Sequence, residues 1–249
     1  MNSDAPSYHG YRFPPLIISH AVWLYHRFCL SFRDAEDLLA QRGITVSYET
    51  IRQWCRTFGP AYARTLRRRR GRLGDTGQLD ELFVTIQGRR QYLWRAVDQD
   101  GDVIDLLVQP RRDRRAAERF FRKLLKGQGH EPRRLITDKL RSYAAAHRTV
   151  MPSVVHSTEP YENNRAEVSH QPTRQREGQM RRFKSAAHAQ RFLSVHGLVQ
   201  NLFRVGRHLL RATHHRLLRA GSFHVWLPRL WADPQRYHSV AVVVEPAEI

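Results

Sequence analysis

The acidic residues Asp80, Asp138 and Glu167 are the ones whose type and placement would support chemistry in this chain. Hard divalent cations such as Mg²⁺ or Mn²⁺ bind carboxylate oxygens. Two such ions can activate an attacking oxygen and stabilise a leaving one when a phosphodiester is cut and rejoined. A site of that kind draws its Asp and Glu from adjoining elements. Asp80 falls on the first extended stretch after a helical region, Asp138 ends the fourth, and Glu167 sits early in the helix after the fifth. Singly, each has an ordinary reading: a polar residue at a strand start, a cap for the next helix, a solvated helix residue. Jointly, they fall where one sheet would gather them, because its first and fourth strands are expected to be neighbours. On a continuous helix His170 and Arg174 would share the face of Glu167. His170 would then position the nucleophile or hold the scissile phosphate, and Arg174 would hold a flanking phosphate; a helix-surface histidine is the alternative. Pro172 disturbs this register, since its ring clashes with the carbonyl of Val168.

The elements that must position these residues are legible in the pattern. Three strand-like stretches, LDELFVTIQ, RQYLWRAVD and VIDLLVQ, are joined by a turn at Gly88 and by Asp100-Gly101, a hairpin signal. Asp98, Asp100, Asp102 and Asp105 are explained there by turn chemistry. Asp113 can cap the helix RRAAERFFRKLLKG, with Ala117, Phe120, Phe121, Leu124 and Leu125 on one stripe. A strand in RRLITD, a helix in SYAAAHRTV and a strand in SVVHS follow. This order predicts an α/β fold: a ribonuclease-H-like mixed sheet with flanking helices. A small all-α helix-turn-helix domain is expected before it. The expected organisation is a DNA-binding module at 1–70, a linker at 71–78, a catalytic domain at 79–184, a helical segment at 185–220 and a tail without clear pattern at 221–249.

In the N-terminal module Ser19 is a candidate cap for a first helix. Ser31 with Asp34 makes a capping-box-like start for a second, closed by Gly43. Ser47 would cap a third, which places Ile51, Trp54, Cys55 and Phe58 on one face. The opposite face offers Tyr48, Thr50, Arg52, Gln53 and Arg56, side-chain types able to read base edges in a major groove. An ordinary helical hairpin with a solvated face fits the same pattern. The basic run Arg67 to Arg70, placed just after this helix, favours DNA.

Composition points the same way. With 42 Lys+Arg against 23 Asp+Glu, the formal charge is +19, and a polyanion is the natural partner. A membrane surface is the competing reading, but no apolar run approaches the roughly 18 residues of a spanning helix. Lysine occurs only as Lys123, Lys126, Lys139 and Lys184. The arginine excess suits bidentate phosphate contacts, and GC-rich coding would produce it equally. Cys29 and Cys55, both read as helical, supply no disulfide framework and no four-ligand zinc site. The N-terminus lacks the order of a signal peptide, so a bacterial-type cytoplasm is expected.

On these residues the chain resembles the bacterial insertion-sequence transposases of the DDE class, in particular the insertion sequence six family. The segments that carry the likeness run from about Tyr11 to His208. They include GYRFPPLIISHAVWLYHRF, VSYETIRQW, LDELFV, YLWRAVDQDG, LITDKLRSY and NNRAEVSHQPTRQRE. The resemblance implies that Asp80, Asp138 and Glu167 form the metal-binding triad and that Arg174 is the basic residue seven positions past the last acid. It also implies Mg²⁺ (or Mn²⁺) as a pair of ions, strand cleavage and transfer giving cointegrates, and double-stranded DNA as partner, both element ends and target. Self-association is implied as well, in a homo-oligomer working on paired ends. The sequence departs from the family at Gly77, where Trp is common, and at Val168, where Asn is usual. The alternative from another class is a DNA-binding regulator with an inactive ribonuclease-H-like domain.

Overall fold

The computed structural model describes residues 6–69, 75–159, 162–163, 166, 169–180, 183–205 and 210–227. Among them a five-stranded mixed sheet runs in the order β3-β2-β1-β4-β5. The strands are β1 (Thr76–Ile86), β2 (Arg89–Asp98), β3 (Val103–Gln109), β4 (Arg134–Ile136) and β5 (Val155–Ser157). β1, β2 and β3 form the expected antiparallel meander, and β1 then pairs in parallel with β4, and β4 with β5. β1 begins three residues earlier than the alternation suggested, within the expected linker. Thr76, Gly77 and Gln78 carry no apolar signal, yet their backbones are claimed from both sides, by Gly77 and Gln78 pairing with Asp98 and Val97 and by all three pairing with β4.

Helices cover both faces. α4 (Arg114–Gln128) and α5 (Arg141–Val150) pack Phe120, Phe121, Leu124, Tyr143 and Ala146 against Leu79 and Trp94. Asp113 caps α4 by accepting from the Ala116 amide at 2.8 Å, and Gly129 closes it with φ +74°. Three further helices are α6 (Gln171–Gln179), α7 (Ala186–Phe203) and α8 (Ala212–Trp226). α7 lies over β3 on the other face, so closely that a Cβ on Gly197 would meet Val103 Cγ1 at 3.3 Å.

The N-terminal helices are α1 (Pro15–Arg27), α2 (Phe32–Ala40) and α3 (Tyr48–Arg69). Their buried residues, among them Ile18, Val22, Ile51 and Trp54, join one apolar cluster with Leu82, Val84, Leu93 and the α7 residues Phe192 and Val195. Ser31 and Asp34 form the expected capping box. Three expectations are corrected. Ser19 does not cap α1, which starts at Pro15; Ser19 is buried inside it and donates to the Leu16 carbonyl. α3 does not end before the basic run but passes through Pro60, because Tyr62, Ala63 and Leu66 continue its buried face and outweigh the one lost hydrogen bond. Arg67 to Arg69 therefore lie in the helix: Arg67 pairs with Asp105 at 3.6 Å and Arg69 donates to the Val225 carbonyl at 2.9 Å. Cys29 lies just beyond α1, and it and Cys55 are free thiols.

Asp98 accepts from the amides of Asp100 and Asp102, as turn chemistry requires, but Asp105 is a buried strand residue paired with Lys123 and Arg67. α8 extends six residues past 220, where no pattern was legible, because Trp226 is buried against Tyr62 and donates to the Ser19 carbonyl.

α1 and α7 are joined by two buried histidines. His26 donates from Nδ1 to the Val22 carbonyl at 2.9 Å, and His196 from Nδ1 to the His26 carbonyl at 2.8 Å. Burial lowers them to about 3 and about 4. Since both folded values lie below the unfolded value near 6.5, this stability is fully present above pH 6.5 and is lost as pH falls toward 4. Each histidine should cost about 1.4 kcal/mol per pH unit in that window. Urea midpoints at pH 7 and pH 5 should therefore fall steeply with acid, and a His196→Phe variant should show a shallower fall.

Candidate active site and nucleic-acid interface

The parallel β1–β4 register sets the site. Gln78 stands beside Ile136 in the ladder, so two residues further along each strand are Asp80 and Asp138. β4 ends at Ile136 while β1 continues, which leaves the edge of β1 open at just this level. Asp138 sits in the turn into α5 and also accepts from the Leu140 amide at 3.0 Å, so the helix-capping reading and the ligand reading both apply to it. Ligand oxygens of Asp80, Glu81 and Asp138 lie within 4.8 Å of one another, a set that can hold a metal ion.

Glu81 was not expected there. Neighbours on a strand point to opposite faces, and Asp80 stands level with Arg95 while Glu81 stands level with Trp94. Both reach one place because the uncovered edge lets the longer Glu side chain turn toward Asp138. Its side chain is only 3% exposed and Oε2 has no hydrogen-bond partner. Burial raises its pKa, Tyr143 and Arg112 pull it down, and the charge of Asp138 adds to the rise. A buried, unsatisfied carboxylate oxygen beside two further acids fits a hard divalent cation.

Glu167 lies outside the described residues. The stretch before it is tied to the sheet: Asn163 donates to the Leu79 carbonyl at 2.9 Å, and Glu162 accepts from Ser157 at 2.5 Å and from Arg134 at 2.8 Å. Asn163 is thus fixed beside the residue preceding Asp80, a contact visible in sequence only as a run of polar residues. Ser169 and His170 make a turn, and α6 starts only at Gln171 with Pro172 in its first turn, so His170 precedes the helix that carries Arg174. His170 nevertheless reaches the site, with Nε2 3.5 Å from Asp80 Oδ2, and is 7% exposed rather than a surface histidine. Burial, with Arg95 and Arg174 adding to it, lowers its pKa to about 3, so it is neutral at physiological pH. Arg174 is exposed. Arg95 is a second residue missed from sequence: a buried guanidinium level with Asp80, donating to Thr173 Oγ1 at 3.3 Å. Desolvation lowers it to about 10, Arg204 adds to the lowering and Asp80 opposes it, so it remains a cation beside the acids.

On α3 the apolar face is buried, and Arg52, Gln53 and Arg56 are exposed on the other side. Ser47 accepts from the Thr50 amide at 3.3 Å and its hydroxyl meets Thr50 Oγ1 at 3.0 Å, so these two shape the helix start. Arg52 is held by Glu49 at 2.5 Å, and Arg33 stacks on Tyr48 at 4.3 Å. Gln53 also bonds Glu49, which leaves Arg56 the freest of these side chains to reach outward.

Residues 75–206 match a protein-family profile described as a DDE domain. The chain is 30% identical over 159 residues to the transposase for insertion sequence-like element IS431mec of Staphylococcus aureus strain Mu50, covering 62% of this chain and 70% of that protein. The same identity and coverage hold for the transposase for insertion sequence element IS257 in transposon Tn4003 of Staphylococcus aureus. Among solved structures, the Mos1 transposase catalytic domain, in a structure with Raltegravir and Mg, aligns with a TM-score of 0.39 and 14% identity, over 75% of this chain and 95% of that one. Among the described residues no helix is long and apolar enough to cross a membrane.

Proposed function

Because the chain belongs to the DDE-domain family of bacterial insertion-sequence transposases, enzymes that use divalent metal to cleave and transfer DNA strands, we propose that Asp80, Asp138 and Glu167 are its metal ligands. Two Mg²⁺ ions, with Mn²⁺ able to replace them, would activate the attacking oxygen and stabilise the leaving one. The supporting observation is the level placement of Asp80 and Asp138 by the β1–β4 register, with their carboxylates gathered beside Glu81. Neutral His170, with Nε2 3.5 Å from Asp80 Oδ2, lines the site rather than acting as an acid, and the buried cation of Arg95 stands level with Asp80. Exposed Arg174 binds a phosphate flanking the scissile one.

Residues 1–70 serve as the reading module for double-stranded element ends, with α3 as recognition helix, and 79–184 as the catalytic domain. The protein works as a homo-oligomer on paired ends in the bacterial cytoplasm and yields cointegrates. The direct test is incubation of the full chain with end-containing DNA, target DNA and Mg²⁺. Nicked ends and joined products are expected; binding without either would favour a regulator with an inactive domain. For the interface, Gln53→Ala and Arg56→Ala should each weaken end binding about tenfold. The Arg56 variant should also flatten the salt dependence by about one unit of slope. Fluorescence anisotropy across a salt series measures both, and unchanged affinity in both variants would remove α3 from the interface.

A further inference from the structure

The guanidinium of Arg112 stands among the acids. Its Nη2 is paired with Glu81 Oε1 and lies 3.6 Å from Asp138 Oδ2. Arg112 occupies the short link between β3 and α4, and the next residue, Asp113, is fixed as the cap of α4. The backbone is therefore anchored beside the site. The side chain is 42% exposed, so it can swing into solvent without disturbing the core. Arg111 lies 3.9 Å from Asp113 instead, and its side chain is 75% exposed.

Carboxylates within 4.8 Å of one another repel unless a cation stands between them. A guanidinium and a divalent ion on the same oxygens would in turn repel each other, so the two cannot both be held at full strength. We propose that Arg112 is a built-in counter-ion that competes with divalent cations for Glu81 and Asp138, and that metal loading requires its guanidinium to leave them. This rests on the reading of Asp138 as a metal ligand. Arg112 thereby sets the metal concentration at which the site fills, and Glu81 is the acid that holds it in place.

The test is Mn²⁺ binding to the full chain at fixed ionic strength, followed by electron paramagnetic resonance of free Mn²⁺. Arg112→Gln should bind Mn²⁺ on the order of tenfold more tightly than the parent protein, and Arg112→Lys, which keeps the charge, should stay close to it. Unchanged or weaker binding in Arg112→Gln overturns the inference. Asp138→Asn is the control: if it binds Mn²⁺ as the parent does, the metal site itself is wrong and this inference falls with it. If it binds weakly while Arg112→Gln matches the parent, only the role of Arg112 is wrong. A second measurement needs no variant. Phenylglyoxal modification of Arg112 in the parent protein, followed by peptide mass spectrometry, should speed up several-fold on adding Mn²⁺ relative to Arg111. A constant or slower rate overturns the inference even if Arg112→Gln fails to fold.

Discussion

Asp138→Asn is expected to reduce strand cleavage about a thousandfold or more while leaving the binding of element ends intact. The substitution keeps the shape of the side chain, and the amide oxygen can still accept from the Leu140 amide, so the turn into α5 survives. What is lost is the negative charge that a hard cation requires. α3, which is proposed to read the DNA, lies on other elements and keeps its exposed face. Cleavage of labelled end DNA and anisotropy on the same preparation separate the two properties. Cleavage at the parental rate would refute the assignment of Asp138, and joint loss of cleavage and binding would indicate a folding defect.

The largest expected effect on stability belongs to Arg176. This α6 residue is 1% exposed, donates to the carbonyls of Leu30 at 2.8 Å and Tyr25 at 3.1 Å, and packs over the rings of Tyr25 and Phe192. Burial lowers its pKa, but arginine starts so high that it stays charged. Arg176→Ala would leave two carbonyls without donors and open a hole among α1, α6 and α7. A loss of about 3 kcal/mol or more in unfolding free energy is expected. Urea denaturation measures it, and a loss under about 1 kcal/mol would show that water or neighbouring groups replace the guanidinium. Because α6 follows directly on His170, the variant should also lose cleavage before it unfolds globally.

Much of the framework was legible because it is local. Alternation marked the meander, Asp113 marked the start of α4, and the capping box at Ser31 fixed the start of α2; each signal resides within a few residues. The two acids Asp80 and Asp138 stood out for a related reason, since one lies near the start of the first strand-like stretch and the other ends the fourth. The failures share a different cause. Ser19 looked like a cap until Pro14 and Pro15 set the start of α1. The basic run looked like the stretch after α3 until the buried Tyr62 and Leu66 carried the helix through it to Arg69, and Trp226 made a helix of a stretch with no visible period.

By itself the sequence determined the element order, the excess of positive charge and two acids able to grip a cation, because strand alternation, capping and charge are properties of short stretches of chain. Only the tertiary structure decided that Glu81 and Arg112 join those acids, that Arg95 and His170 are buried beside Asp80, and that the N-terminal helices share an apolar cluster with the sheet. Those facts depend on where β4 ends relative to β1 and on which surfaces α1, α6 and α7 cover. Such long-range packing brings together residues up to 207 positions apart, as Ser19 and Trp226 are, and no local period records it.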